Sequence, residues 1–181
     1  YNSYSSLDNI KKFDSPIWHI HSGKPKNFKT EINFNTLTNL VSVSNSTDKK
    51  VIWSFINKYD QNINSEDNRE FDRLIDYALN YYNDFILPNK KYVKINSNNK
   101  EIFVDILKLL ENDINFESSA EEIQTQLYEI GKKHKFENLK DFFKLVYQVI
   151  LGQDQGPRLG SFIKLFGIGE TIEYLKKIID N

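Results

Sequence analysis

The 181 residues carry 24 Lys and Arg against 25 Asp and Glu, a formal net charge of −1, and 39% of them are hydrophobic. That apolar share is enough to build a core, which excludes a disordered tail. Near-neutrality argues against a bulk nucleic-acid binder while leaving room for a local basic face. The absence of Cys removes disulfides, thiolate metal sites and thiol nucleophiles together.

The first residues are polar, and Pro16, Gly23 and Pro25 break any pattern through Thr30, so residues 1–33 read as an irregular connecting segment. From Phe34 the periodicity is helical. Asn33 can cap a helix facing inward through Phe34, Leu37, Leu40 and Val41. Thr47 can cap the next, with Val51, Ile52, Phe55, Ile56 and Tyr59 on one face. Ser65 precedes a long amphipathic helix, Phe71 to Phe85, which must stop before Pro88. A Lys/Asn-rich connection follows, in which Lys91 to Ile95 could form a short strand. Ile102, Phe103, Ile106, Leu109 and Leu110 mark another helix. Ser118 and Glu121 fit a capping box ahead of Ile123, Leu127 and Ile130, with Gly131 as a stop. Asn138 caps a helix that faces inward through Leu139, Phe142, Phe143, Val146, Val149 and Ile150 and ends at Gly152. Pro157 opens a short helix to Phe166, closed by Gly167, and a last helix runs from about Glu170 to Asp180. The fold class is therefore all-α, a multi-helix cage or bundle, with helical subdomains expected over 34–88 and 97–181.

No apolar run approaches the roughly 20 residues of a membrane helix. The chain starts at Tyr1 without a basic-plus-apolar leader, so it reads as a piece excised from a cytoplasmic protein. Catalytic constellations are missing. His19 and His21 stand two apart in an extended stretch and point to opposite faces, which suits a shared metal poorly, and His134 has no ligand neighbour in sequence. Gly152, Gly156 and Gly160 are not spaced as a dinucleotide fingerprint, and there is no Walker loop or nucleophile elbow. Glu121 and Glu122 lie on a polar face, where solvation explains them, and Asn45-Ser46-Thr47 fits a glycosylation pattern that arises often by chance. No catalytic residue, metal or cofactor is expected within the segment. Two basic clusters, Lys90, Lys91, Lys94 and Lys100, then Lys132, Lys133, His134 and Lys135, read first as solvated surface. One stretch is unusual: Leu151-Gly152-Gln153-Asp154-Gln155-Gly156-Pro157-Arg158 concentrates hydrogen-bonding side chains in a turn between two apolar helices. Gln and Arg can read base edges, and glycines allow close approach; a tight capped connection explains the same residues equally well.

The stretch from Leu139 through Tyr147-Gln148-Val149-Ile150-Leu151-Gly152-Gln153-Asp154-Gln155-Gly156-Pro157-Arg158 to Gly160-Ser161-Phe162 resembles the C-terminal end of class I lysyl-tRNA synthetases. Pro16-Ile17-Trp18-His19-Ile20-His21, Asn39 to Asn45, Val51 to Ile56, Asp72 to Ala78, Tyr82 to Phe85, and Ile123 to Gly131 resemble earlier stretches of the family in family order. Only the Asn89 to Asn115 region is nondescript. The resemblance implies the helical part that grips the anticodon arm of tRNA-Lys, probed through U-rich bases that are splayed out and stacked. It implies an upstream catalytic domain that activates lysine with ATP and Mg; its His-Ile-Gly-His and Lys-Met-Ser-Lys-Ser type signatures are absent here, so this segment alone should be inactive. Gln153, Gln155, Arg158 and Tyr147 are the implied anticodon contacts, with Trp18, His19 and His21 second, in a monomer. Trp53 reads as core more than contact. Relatives often carry two Arg where this chain has Asn57-Lys58, and Trp where it has Phe143, which puts a cationic and a stacking contact in doubt. The alternatives are an anticodon-binding domain of another class I synthetase, or a helical protein-interaction module with no RNA role.

Overall fold

The computed structural model describes residues 11, 12, 14, 18, 32–61, 63–66 and 68–180. The chain divides into two compact units, Tyr1–Asn33 and Phe34–Asn181, and the turn singled out above lies in the second. Apart from Trp18, the irregular stretch expected over residues 16–30 lies outside the described residues.

The second unit is all-α. Its helices are α1 (Phe34–Ser44), α2 (Lys49–Tyr59), α3 (Arg69–Tyr81), α4 (Lys100–Asn112), α5 (Ala120–Lys133), α6 (Leu139–Ile150), α7 (Leu159–Phe166) and α8 (Ile168–Ile179). Most positions of the predicted stripes are buried, but Tyr59 and Phe85, expected on inward faces, are 41% and 61% exposed. Ile102, Phe103, Ile106, Leu109 and Leu110 of α4 are all buried, as are Phe142, Val146, Val149 and Ile150 of α6. Trp53 is core, 8% exposed, and its indole N–H donates to Asp72 across 2.9 Å. Lys49 joins that carboxylate to Asp76, with Nζ 2.7 Å from each, tying α2 to α3.

Several boundaries differ from the sequence expectation, each for a local reason. Asp48, not Thr47, caps α2, accepting from the Lys50 amide at 2.8 Å. The third helix starts at Arg69 rather than near Ser65, and Asn68 at its N-cap makes no capping hydrogen bond. Ahead of Pro88 the chain does not stop; it loosens into a π turn, Tyr82–Ile86, then tightens into a 3₁₀ turn, Leu87–Asn89, whose first positions tolerate proline. No strand forms over Lys91 to Ile95. The chain is extended there, but its amides bond to the end of a helix, Lys91 N–H to Gly152 O at 2.8 Å and Val93 N–H to Gln148 O at 3.2 Å. The capping box is one residue on, Ser119 with Glu122. Gly131 does not stop α5. It is buried inside the helix, where an added Cβ would meet Leu139 Cδ2 at 2.8 Å and the Phe142 ring at 3.1 Å.

The short helix α7 is the centre. Leu159, Gly160, Phe162, Ile163, Leu165 and Phe166 are all buried, and α7 packs on α1, α2, α5 and α8. At Gly160 two backbones touch, because a Cβ there would collide with the Ala120 carbonyl oxygen and come within 2.9 Å of the Gln124 nitrogen. The buried Gln124 side chain accepts the Gly160 N–H at 3.0 Å. A cavity of ≈ 20 Å³ lies among α1, α4, α5, α6, α7 and α8, lined mainly by Val43, Ile106, Leu127, Val146 and Phe162. Its polar neighbours are occupied, Thr171 donating to Gly167 O at 2.7 Å and Tyr174 to Ile150 O at 3.0 Å. It offers a water no partners and a ligand no room.

Gln124→Leu leaves a buried N–H at Gly160 without an acceptor and should lower stability by about 1–3 kcal/mol. Exposed Gln126→Leu on the same helix should stay within about 0.5 kcal/mol; urea unfolding of the two variants makes the comparison.

Candidate functional site

The turn between α6 and α7 is held from three sides. From beneath, Tyr147 on α6 sends its hydroxyl to Pro157 O at 2.6 Å. Its ring fills the space at Gly156, where a Cβ would lie 2.5 Å from Cδ1. Burial, with Tyr128 nearby, pushes the Tyr147 hydroxyl up to about 12, so it remains a donor. From α1, the Ser42 hydroxyl accepts from the Gln153 amide at 3.0 Å. From the extended connection, the Lys91 amide meets Gly152 O. Gly152 takes φ +68, a left-handed conformation suited to glycine, and a Cβ would press on Tyr92 and Lys90 at 3.2–3.3 Å.

Beside this turn sits a lysine in an aromatic box. Lys90 Nζ lies 5.0 Å from the centre of the Tyr82 ring and 5.3 Å from that of Tyr92. It donates to Ser42 O at 2.7 Å and to the Tyr92 hydroxyl at 2.9 Å. Burial pulls its ammonium down to about 8. Lys90 is therefore not the solvated cation expected of its cluster; it joins Ser42 to the same locality that Gln153 reaches. The second basic cluster is also largely committed. Lys133 and His134 both approach Asp105, at 2.8 and 2.7 Å, and Lys132 pairs with Glu129 at 2.7 Å. Lys91, Lys94 and Lys100 are exposed.

Of the four first-rank residues, two brace and two are presented. Gln153 and Tyr147 are half-buried with their polar groups engaged. Gln155 is exposed and makes no side-chain hydrogen bond with the described residues. Arg158 is exposed, with only a long 3.5 Å contact to the equally exposed Glu121, a geometry that contributes little. Trp18 is half-buried in the first unit, and His19 and His21 lie outside the described residues. Among the described residues no group of three metal-ligating side chains comes together, and no helix is long and apolar enough to cross a membrane.

Two of the doubtful positions are now placed. Lys58 pairs with Glu170 at the start of α8, 2.5 Å apart. Phe143 is half-buried, with the Tyr128 ring 5.0 Å away edge-on. Sequence reasoning missed Ser42, Gln148 and Lys144. Gln148 donates to Asp154 at 2.8 Å and Lys144 lies 3.1 Å from its other oxygen. These two donors, with Lys91 adding positive charge, hold the Asp154 carboxyl below the usual carboxylate range. Nothing in spacing pairs Ser42 with a turn 111 residues away.

No family model matches the chain. The lysine–tRNA ligase of Rickettsia peacockii (strain Rustic) is 44% identical over 174 residues, which is 96% of this chain. That of Rickettsia africae (strain ESF-5) is 44% identical over the same share, and that of Rickettsia bellii (strain OSU 85-389) 42% over 94%. Over almost its whole length the chain is similar to one part of these lysine–tRNA ligases. It spans only about a third of the length of these relatives, 32–33%. Their names describe aminoacyl-tRNA ligases, and the similarity takes in the all-α unit described above and extends into the residues before it.

The Lys90 box makes stability pH-dependent with a definite sign. In the folded chain Lys90 gives up its proton above about 8, whereas the unfolded chain keeps it up to its ordinary 10.5. In that window the unfolded state binds more protons, so this group's contribution rises with pH. The melting temperature of the wild type relative to Lys90→Met should climb between pH 7.5 and 9.5, a difference that calorimetry at both pH values reads directly. Tyr147→Phe, which strands the Pro157 carbonyl, should cost about 1 kcal/mol and increase amide exchange in residues 152–156.

Proposed function

We propose that this segment grips the anticodon arm of tRNA-Lys, as the C-terminal part of a class I lysine–tRNA ligase. The parent protein uses ATP with Mg to activate lysine and attaches it to tRNA-Lys in an upstream catalytic domain; this segment supplies recognition and no chemistry. The supporting observation is the combination of a braced turn with two outward side chains. Gln155 and Arg158 are exposed on a loop whose backbone is fastened to α6 and to the 90–93 connection and whose Gln153 side chain is bonded to α1. A braced backbone spares the cost of ordering the loop on binding and leaves only that of the two side chains. An amide and a guanidinium suit the edges and faces of unpaired uridines.

One observation favours a second reading, a protein-docking helical module. Tyr77, Tyr81 and Phe85 follow one another along α3 and the π turn, 56%, 44% and 61% exposed. The stripe is apolar and its rim carries both signs of charge, Arg73 one turn before Tyr77 and Asp84 beside Phe85, which fits a protein surface better than a phosphate backbone.

Binding of the 181-residue chain to a tRNA-Lys transcript, beside one with its second and third anticodon uridines changed, separates these readings. Selective loss with the changed anticodon is the expected result. Arg158→Ala and Gln155→Ala should each then weaken binding to the unchanged transcript by about 1–3 kcal/mol, by analogy with bidentate base contacts. Equal, salt-sensitive binding to both transcripts reduces the role to phosphate docking. A folded chain that binds neither transcript favours the protein-docking reading.

A further inference from the structure

We infer that Asp154 is an intramolecular stand-in for an RNA phosphate: its carboxylate occupies, on Lys144 and Gln148, the place that a backbone phosphate of unpaired RNA takes when it docks beside the turn. This rests on the RNA reading above and adds to it a residue that sets how strongly the backbone, as opposed to the bases, contributes.

The geometry is as follows. Gln148 Nε2 donates to one Asp154 oxygen at 2.8 Å, and Lys144 Nζ lies 3.1 Å from the other. Lys144 and Gln148 stand four apart, so both reach up from one face of α6. Lys91 comes alongside, because its own amide is bonded to Gly152 two residues before Asp154. The result is an ammonium, an amide donor and a second lysine converging on one anionic group, the donor set that also suits phosphate. The carboxylate that fills it is weakly retained. The Asp154 side chain is 65% and Lys144 49% exposed, and a side-chain rotation alone swings Asp154 out into water. A phosphate that enters instead meets the same donors with the same sign of charge.

This arrangement has a consequence for selectivity. With Asp154 in place, Lys91 and Lys144 present one net positive charge rather than two. Non-specific attraction to any polyanion is thereby reduced beside the exposed Gln155. Backbone affinity falls for all RNAs alike, and discrimination is left to the base contacts.

The test measures binding of the full 181-residue chain and its variants to the tRNA-Lys transcript, to the anticodon-changed transcript and to a 15-nucleotide oligouridylate, across a salt series. Asp154→Asn should bind all three about fourfold tighter at low salt, the effect of removing one like charge roughly 5 Å from a phosphate in a water-like dielectric. Its plot of log affinity against log salt should steepen by about 0.7–0.9. Lys144→Ala should weaken all three ligands, and the gain from Asp154→Asn should shrink in the double variant. Unchanged affinity and slope in Asp154→Asn overturn the inference and leave the residue as a brace of the turn. Weaker binding to the unchanged tRNA-Lys transcript alone also overturns it, because Asp154 then reads a base. A wild type that fails to discriminate anticodons defeats the anticodon reading. The oligouridylate arm still decides the role of Asp154 in that case, since a backbone effect needs no anticodon.

Discussion

The contact at Gly160 is the constraint on which the second unit depends. An α7 of eight residues is too short to be stable by itself. It exists because its backbone can lie against that of α5, where any side chain at Gly160 would strike Ala120. The Gln124 side chain then satisfies the one N–H that this close approach would otherwise strand. From that anchored position α7 offers Phe162, Ile163, Leu165 and Phe166 to its neighbours. Phe166 stacks on Phe55 of α2, with ring centres 5.1 Å apart. The start of α7 is also the end of the turn that carries Gln155, so the placement of Arg158 follows from how closely two helices approach at Gly160.

The other end of the turn is fixed by polar interactions rather than by packing. Ser42 uses its carbonyl for Lys90 and its hydroxyl for Gln153. Tyr82 serves two functions as well. Its ring faces the Lys90 ammonium, and its hydroxyl donates at 3.3 Å to Asn45, a residue in left-handed backbone conformation (φ 48) at the end of α1. A desolvated ammonium with no carboxylate contact among the described residues is costly, and the π-faces and two oxygen acceptors offset part of that cost. The turn is thus bounded by a dry helix contact on one side and a polar, aromatic-lined lysine on the other, with the exposed side chains between.

Much of the fold was legible because helical periodicity reports burial directly: the α4 stripe of Ile102 to Leu110 needed no tertiary information. The errors arose where local sequence admits two solutions. Ser118-Ser119-Ala120-Glu121-Glu122 contains two capping boxes in register. The one chosen is Ser119 with Glu122, while Ser118 instead closes a turn with Asn115. Gly131 carries the same chemical signal as a helix stop, yet here it marks a close approach to Leu139 and Phe142. The turn itself was visible through its composition. Which of its polar groups face outward was not, because that depends on Ser42, Tyr92 and Pro157 as partners and on distances set by helices far away in sequence.

The bond between Ser42 and Gln153 closes a loop of 111 residues. Closing so long a loop is entropically slow, and local helix formation does nothing to hasten it. A helical hairpin of α6 and α7 alone would contain every side chain of the turn but not the hydroxyl that orients Gln153. The orientation of Gln153 is therefore completed only once the first helix has reached the turn between α6 and α7.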